Sequence, residues 1–212
     1  MIKKQLIIFD MDGTLIDSGD VITNTINFVR TNIGLEEMDK TQLLLQLNNP
    51  DINAAEYFYG TSAFTDEQTE LFTQYYDKNC VNDILLYEGI KPMLESISEH
   101  FTLTVATNAS VEFATKMIKH LDIDKYFDMV VGASCVANPK PHPDMLLKII
   151  NHLNIPNEKA ILIGDSLKDQ KAADLANMDS ILVNWGFSTH CQTIAVNNSQ
   201  ELTKKILKLK VD

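Results

Sequence analysis

Asp10-Met11-Asp12-Gly13-Thr14 sets two carboxylates two residues apart, directly after the apolar run Leu6-Ile7-Ile8-Phe9. The run reads as a buried strand and Gly13 as the turn beyond it. Two carboxylates at a strand end stand close enough to share a cation and an incoming phosphate, and open α/β sheets bind their ligands at the carboxyl ends of strands. The same residues also suit an ordinary turn, because Asp and Gly are common turn formers. A calcium loop is excluded: its fifth, sixth and twelfth positions would be Thr14, Leu15 and Val21 rather than Asp or Asn, Gly and Glu.

Three later segments carry related chemistry. A strand-like run over 101–106 ends in Thr107-Asn108, with Ser110 placed to cap a following helix. Hydroxyl, amide and helix N-terminal N–H groups together make a cradle for phosphate oxygens. In Asn138-Pro139-Lys140-Pro141-His142-Pro143-Asp144 the flanking prolines predict an extended, non-helical backbone that presents Lys140 as a point charge. Ala160-Ile161-Leu162-Ile163 runs into Gly164-Asp165-Ser166-Leu167-Lys168-Asp169, where Asp165 and Asp169 are four residues apart. That spacing is one helical turn, so both side chains can face one hard cation. Taken singly, each segment also has a plain structural reading: a helix cap, a solvated lysine, a turn with its N-cap.

These residues need elements to position them. Ile22, Ile26, Val29 and Ile33 recur at helical spacing, and shorter helical patterns follow over 43–47, 54–58 and 71–76. No strand-like alternation occurs from Ser18 to about Ile84, so this block reads as all-helical. Beyond Tyr87-Glu88-Gly89 the pattern alternates, with strands over 103–106, 129–131, 160–163 and 181–183 and helices near 91–98, 111–121, 145–153, 167–178 and 200–209. Strands separated by helices imply right-handed crossovers and a parallel sheet. The expected fold is therefore α/β, a Rossmann-like parallel sheet core formed by 1–16 and 86–212, with an inserted all-helical cap over 17–85. Gly19 and Gly89 lie at the two junctions, where each suits a hinge and equally a plain loop residue. Tyr57-Phe58-Tyr59 and Tyr75-Tyr76 read as cap core rather than substrate contacts.

Composition narrows the function classes. The 212 residues suffice for one domain with an insertion, and 45% hydrophobic with 22% charged residues is ordinary for a soluble globule. A formal charge of −11 argues against nucleic acid or an anionic membrane as partner. No apolar run reaches bilayer-spanning length, and Asp10 and Asp12 interrupt the first one, so neither a membrane span nor a signal peptide is expected. Cys80, Cys135 and Cys191 lack metal-type spacing and read as free thiols of a cytoplasmic protein. Arg30 is the single arginine, which leaves a phosphate to be held by a metal ion, Lys140 and backbone N–H groups. Four Asp carboxylates gathered around a divalent cation would be largely neutralised by it.

In this order and register the four segments resemble the haloacid dehalogenase superfamily of aspartate-nucleophile phosphatases, and within it the phosphoglycolate phosphatase-like subfamily. Ile181-Leu-Val-Asn184-Trp185-Gly186 is similar to that subfamily's last core strand and loop. The resemblance implies that Asp10 is the nucleophile, that Asp12 is general acid and then general base, and that Thr107, Asn108 and Lys140 hold the phosphate. It further implies Mg²⁺ on Asp165, the Asp10 side chain and the Asp12 main-chain carbonyl, with Asp169 behind them orienting Lys140 or a metal-bound water. Ala109 departs from the subfamily, which often has Lys or Arg there. The dehalogenase branch has no Asp two residues after its nucleophile, so Asp12 favours phosphoryl chemistry.

The expectation is a Mg²⁺-dependent phosphatase of a small phosphorylated metabolite, with 2-phosphoglycolate as first guess and with neither monomer nor homodimer singled out. A phosphomutase of the β-phosphoglucomutase type resembles the chain in all four segments, and a non-catalytic binder on the same fold stands as a third reading. A phosphonoacetaldehyde hydrolase-like role would need an imine-forming cap lysine, and Lys40 and Lys78 sit in no such pattern. Specificity is expected from the cap loop at Asn48-Asn49-Pro50.

Overall fold

The computed structural model describes residues 3–187 and 195–210, so Cys191 and His190 lie outside the described residues. Leu6–Phe9 forms β1, and the chain then turns through a two-residue strand β2 (Ile16–Asp17) into four helices, α1 (Gly19–Asn32), α2 (Lys40–Leu47), α3 (Ala54–Tyr59) and α4 (Asp66–Asn79). It returns through β3 (Leu85–Leu86) to α5 (Ile90–Ser98), β4 (Thr102–Ala106), α6 (Val111–His120), β5 (Met129–Val131), α7 (Asp144–Leu153), β6 (Ala160–Gly164), α8 (Leu167–Leu175), β7 (Asp179–Leu182) and α9 (Ser199–Leu207).

Five of these strands form one parallel sheet in the order β5-β4-β1-β6-β7. All four β1 side chains are fully buried, which is why its sequence is a continuous apolar run rather than an alternation. Alternation appears instead in what the side chains meet. Ile7 and Phe9 join the layer of α5, α6 and α9, with Leu94, Met117 and Leu202. Leu6 and Ile8 join the layer of α7 and α8, with Leu146, Ile149 and Ala172. The expected Rossmann-like core is thus present, with helices on both faces.

The helical insertion is joined to the sheet by the antiparallel ribbon β2–β3, in which Ile16 pairs Leu86. Sequence pattern missed this ribbon, because two residues are too few to express a period. α1 packs along α4, with Phe28 and Tyr75 rings 4.6 Å apart, and a Thr65–Gln68 capping box starts α4. The Tyr76 ring meets Phe113 of α6 edge-on at 5.0 Å, seating the insertion on the sheet layer. α8 ends at Leu175, earlier than its apolar pattern suggests, and Asn177 just beyond has the left-handed φ of 51° that closes such helix ends. Among the described residues no helix is long and apolar enough to cross a membrane.

Candidate active site

β1 is the central strand, and its neighbours β4 and β6 run one residue beyond it: Phe9 pairs both Val105 and Ile163, and the neighbours end at Ala106 and Gly164. The next residues, Asp10, Thr107 and Asp165, therefore emerge side by side at one sheet edge. The Asp10 N–H donates to the Ile163 carbonyl at 2.8 Å and the Thr107 N–H to Val131 at 3.0 Å, so the backbone stays rigid to the point where side chains turn out.

Lys140 reaches this edge from the connection between β5 and α7. The segment is a turn, not the extended stretch expected from its prolines. Its Lys140–Pro141 peptide is cis, and the turn is closed by the His142 N–H on the Pro139 carbonyl at 3.0 Å. The Asn108 amide donates to the Lys140 carbonyl at 2.8 Å, so the Asn108 side chain braces the lysine's backbone.

Lys140 Nζ lies 2.6 Å from Asp10 Oδ1 and 2.6 Å from Asp169 Oδ1, with all three groups buried. Asp169 is the third residue of α8, and its Oδ2 accepts the Ser166 N–H in a capping box. With one oxygen on the cap and the other on Lys140, Asp169 is fixed in direction. Burial pulls the ammonium's pKa down, but the carboxylates, Asp10 first, more than offset this and raise it. Burial pushes Asp10 up to about 7, opposed by Lys140 and reinforced by Asp169. Asp10 Oδ2 also accepts the Thr14 hydroxyl at 3.2 Å.

Asp12 has a different environment. Its Oδ1 accepts the Ser18 hydroxyl at 2.5 Å and its Oδ2 the Thr107 hydroxyl at 3.3 Å. Burial raises its pKa, which the two hydroxyls only partly oppose. This corrects the expected gathering of four Asp carboxylates. Among the described residues the carboxylate cluster consists of Asp10, Asp165 and Asp169, whose oxygens lie within 4.8 Å of one another. Two hydroxyls turn the Asp12 side chain away. Ser18 has no motif of its own and was missed as a site residue; it reaches Asp12 because the β2 turn folds back.

The cluster suits a hard divalent cation. Its donors are all carboxylate oxygens, and Asp165 is driven well above the usual carboxylate range by burial and then by Asp10 and Asp169, a crowding that a cation relieves. Asp165 Oδ2 accepts the Phe187 N–H at 2.8 Å, and the Asn48 amide donates to both Asp165 oxygens at 3.1 Å. Gly13 (φ 84°) and Gly186 press so close to this carboxylate that a Cβ on either would collide with it.

A cavity of about 530 Å³ opens above these groups, between sheet edge and helical insertion. The carboxylates of Asp10 and Asp12, Thr107, Asn108 and Lys140 all face it. Asn48 lines it too, in the loop expected to set specificity. Lys168, which sequence reasoning passed over, donates to the Leu47 carbonyl at 2.9 Å and ties α8 to the insertion. Phe58, Tyr59 and Tyr76 are buried as expected of cap core, but each also lines the cavity.

A family model described as haloacid dehalogenase-like hydrolase matches residues 7–183. Among curated proteins, the chain is 31% identical over 194 residues to a phosphoglycolate phosphatase of Aquifex aeolicus, covering 86% of each chain. It is 27% identical over 196 residues to a phosphoglycolate phosphatase of Colwellia psychrerythraea, covering 88% of this chain and 87% of the other. Among solved structures it superposes on a predicted phosphatase from Clostridium acetobutylicum with a TM-score of 0.84 and 26% identity, covering 98% and 100% of the two chains.

Proposed function

This chain belongs to the haloacid dehalogenase-like hydrolases, and from that premise we propose that it is a Mg²⁺-dependent phosphatase that cleaves a small phosphomonoester through an aspartyl-phosphate on Asp10. Residues 1–16 and 86–212 form the catalytic core in this reading, and 17–85 the cap. The free thiols of Cys80 and Cys135 support a cytoplasmic setting.

The carrying observation is the contrast between the two carboxylates that share the cavity. Asp10 touches a buried ammonium at 2.6 Å, whereas Asp12 touches only neutral hydroxyls. The ammonium beside Asp10 favours its ionised, nucleophilic form against burial, whereas Asp12 has no such cation in contact and its burial favours the protonated form suited to general acid work. Asp10 attacks phosphorus, the bond to the alcohol oxygen breaks, and the Asp12 proton passes to that oxygen. Water then attacks the phosphoryl group, Asp12 takes its proton, and phosphate leaves with Asp10 restored. Lys140 neutralises phosphate oxygens while Asp169 holds it in place, and Thr107 and Asn108 border the phosphate position. Asp10 and Asp165, with the Asp12 main-chain carbonyl, would hold a divalent ion, which would supply positive charge that favours ionised Asp10 and shields it from the phosphate.

Phosphate release from a panel of monoesters in Mg²⁺, including 2-phosphoglycolate, tests the reading, and no release from any ester would sink it. Asp12→Asn is expected to lower kcat by about 10²–10⁴-fold. Both hydroxyls on residue 12 can reorient to suit an amide, so the fold should survive. An unchanged kcat would remove Asp12 from the proton transfers.

Metal binding has its own readout. Asp10 rises from 3.8 to about 7 on folding, so without metal the native state loses stability as pH climbs through that interval. Mg²⁺ must displace those protons, so its stabilisation grows over the same range. At Mg²⁺ about 100-fold above Kd, linkage adds about 2.7 kcal/mol, roughly 5–10 °C in Tm. The thermal shift should be larger at pH 7.5 than at pH 5.5, and a flat melting temperature at both would refute the metal site.

A further inference from the structure

Among the described residues the cap contributes no charged side chain to the cavity lining. The charged lining groups are Asp10, Asp12, Lys140, Lys168 and Asp169, all from the sheet edge and α8. Each cap cation is placed elsewhere. The Arg30 guanidinium donates to the Glu36 and Phe58 carbonyls, Lys40 pairs with Asp20, and Lys78 is exposed and does not line the cavity.

Aromatic rings take their place. Phe58, Tyr59 and Phe64 form one contiguous set, with Tyr59 and Phe64 centroids 5.9 Å apart. Phe72, Tyr76 and Phe113 form a second, Phe72 stacking on Tyr76 at 5.4 Å. All six line the same cavity, with Ile22 and Ile26 of α1. Phe64 does so from the open side of the cavity, where the residue is 55% exposed. Asn48, Gln68, Thr69 and Thr73 are neutral polar groups of the cap lining, and the Gln68 Oε1 already accepts the Thr65 N–H at 3.0 Å.

From this lining we infer that the substrate is the phosphate ester of an uncharged, largely apolar alcohol the size of a ring, and that the ring is held among the cap aromatics. The inference rests on the phosphomonoesterase reading and adds the class of leaving group. A second carboxylate, as in 2-phosphoglycolate, would be buried on the apolar side without a cation, a costly arrangement. Among the described residues the ammonium groups of the lining lie away from the rings: Lys140 bridges Asp10 and Asp169 at the sheet edge, and Lys168 donates to the Leu47 carbonyl at the end of α2. A two-carbon acid would also leave most of the 530 Å³ unfilled, whereas pockets of this size and lining suit larger apolar groups.

Non-hydrolysable phosphonates separate this inference from the catalytic reading. Calorimetric titration of the full chain in Mg²⁺ is expected to show benzylphosphonate binding at least about tenfold more tightly than ethylphosphonate or phosphonoacetate. Phe64→Ala, at an exposed loop position, should erase most of the advantage over ethylphosphonate. Phosphonoacetate binding as tightly as benzylphosphonate, or an advantage unchanged in Phe64→Ala, would overturn the inference. If ethyl phosphate and 2-phosphoglycolate are hydrolysed but no benzyl preference appears, this inference fails and the phosphatase stands. If benzylphosphonate is preferred but no monoester is hydrolysed, the pocket assignment stands and the phosphatase fails.

Discussion

Asp10→Asn is expected to lower kcat for phosphomonoester hydrolysis by about 10⁴-fold or more while leaving the protein folded. Asn keeps the shape of the side chain and an oxygen for the Thr14 hydroxyl, which Asp10 now accepts at 3.2 Å. It removes one of three carboxylates crowded within 4.8 Å, so the metal-free variant should melt no lower than the parent. What it lacks is a nucleophile, since an amide oxygen does not form an acyl phosphate under these conditions. Rapid acid quench with labelled substrate should trap phosphate on residue 10 of the parent and none in the variant. Retention of a tenth of parent kcat would mean that water, not Asp10, attacks phosphorus.

Lys140→Met should cost both stability and rate. The ammonium bridges Asp10 and Asp169 at 2.6 Å each, and all three groups are buried. Removing it leaves two buried carboxylates facing each other, a loss of about 3–5 kcal/mol when one partner of a buried ion pair is deleted. The pH dependence follows from the carboxylates. Without the cation that now lowers it, Asp10 rises further above its unfolded value. A carboxyl raised on folding contributes fully below its unfolded pKa and loses that contribution as pH rises. The variant should therefore lie closest to the parent near pH 4–5 and fall furthest below it near pH 8, as urea denaturation at both pH values would show. In activity, loss of the phosphate-neutralising charge should cost about 10²–10³-fold in kcat. Lys140→Arg keeps the charge but replaces a compact donor with a planar fork that does not fit between two fixed oxygens, so only part of the activity should return. A Lys140→Met variant as stable as the parent at pH 8 would show that the three groups are not coupled as their distances require.

Much of the architecture was legible because the sheet is parallel and buried on both faces. β1 and β6 read as unbroken apolar runs, and the helices between them show the spacing of one buried side. The catalytic candidates were legible for a related reason. A residue that follows a buried strand must emerge at the sheet edge, so the positions of Asp10, Thr107 and Asp165 were set once the strands were recognised. Helical spacing also placed Asp165 and Asp169 on one side, but not the division of labour between them. Asp169 turned to Ser166 and Lys140 because it is the third residue of a capped helix, leaving Asp165 under the Asn48 amide.

By itself, then, the sequence determined the sheet, the inserted helices and which residues meet at the strand ends, because periodicity and apolar runs record which side of each element is buried. Only the tertiary structure decided what covers those sides. Ser18 on Asp12, Asn48 on Asp165 and Lys168 on the Leu47 carbonyl join elements through packing that no local pattern encodes. The aromatic run shows the same limit: Tyr57 points outward while its neighbours Phe58 and Tyr59 line the cavity. An apolar face looks the same in sequence whether it meets another side chain or encloses a space, and the space exists only where the insertion is seated on the sheet.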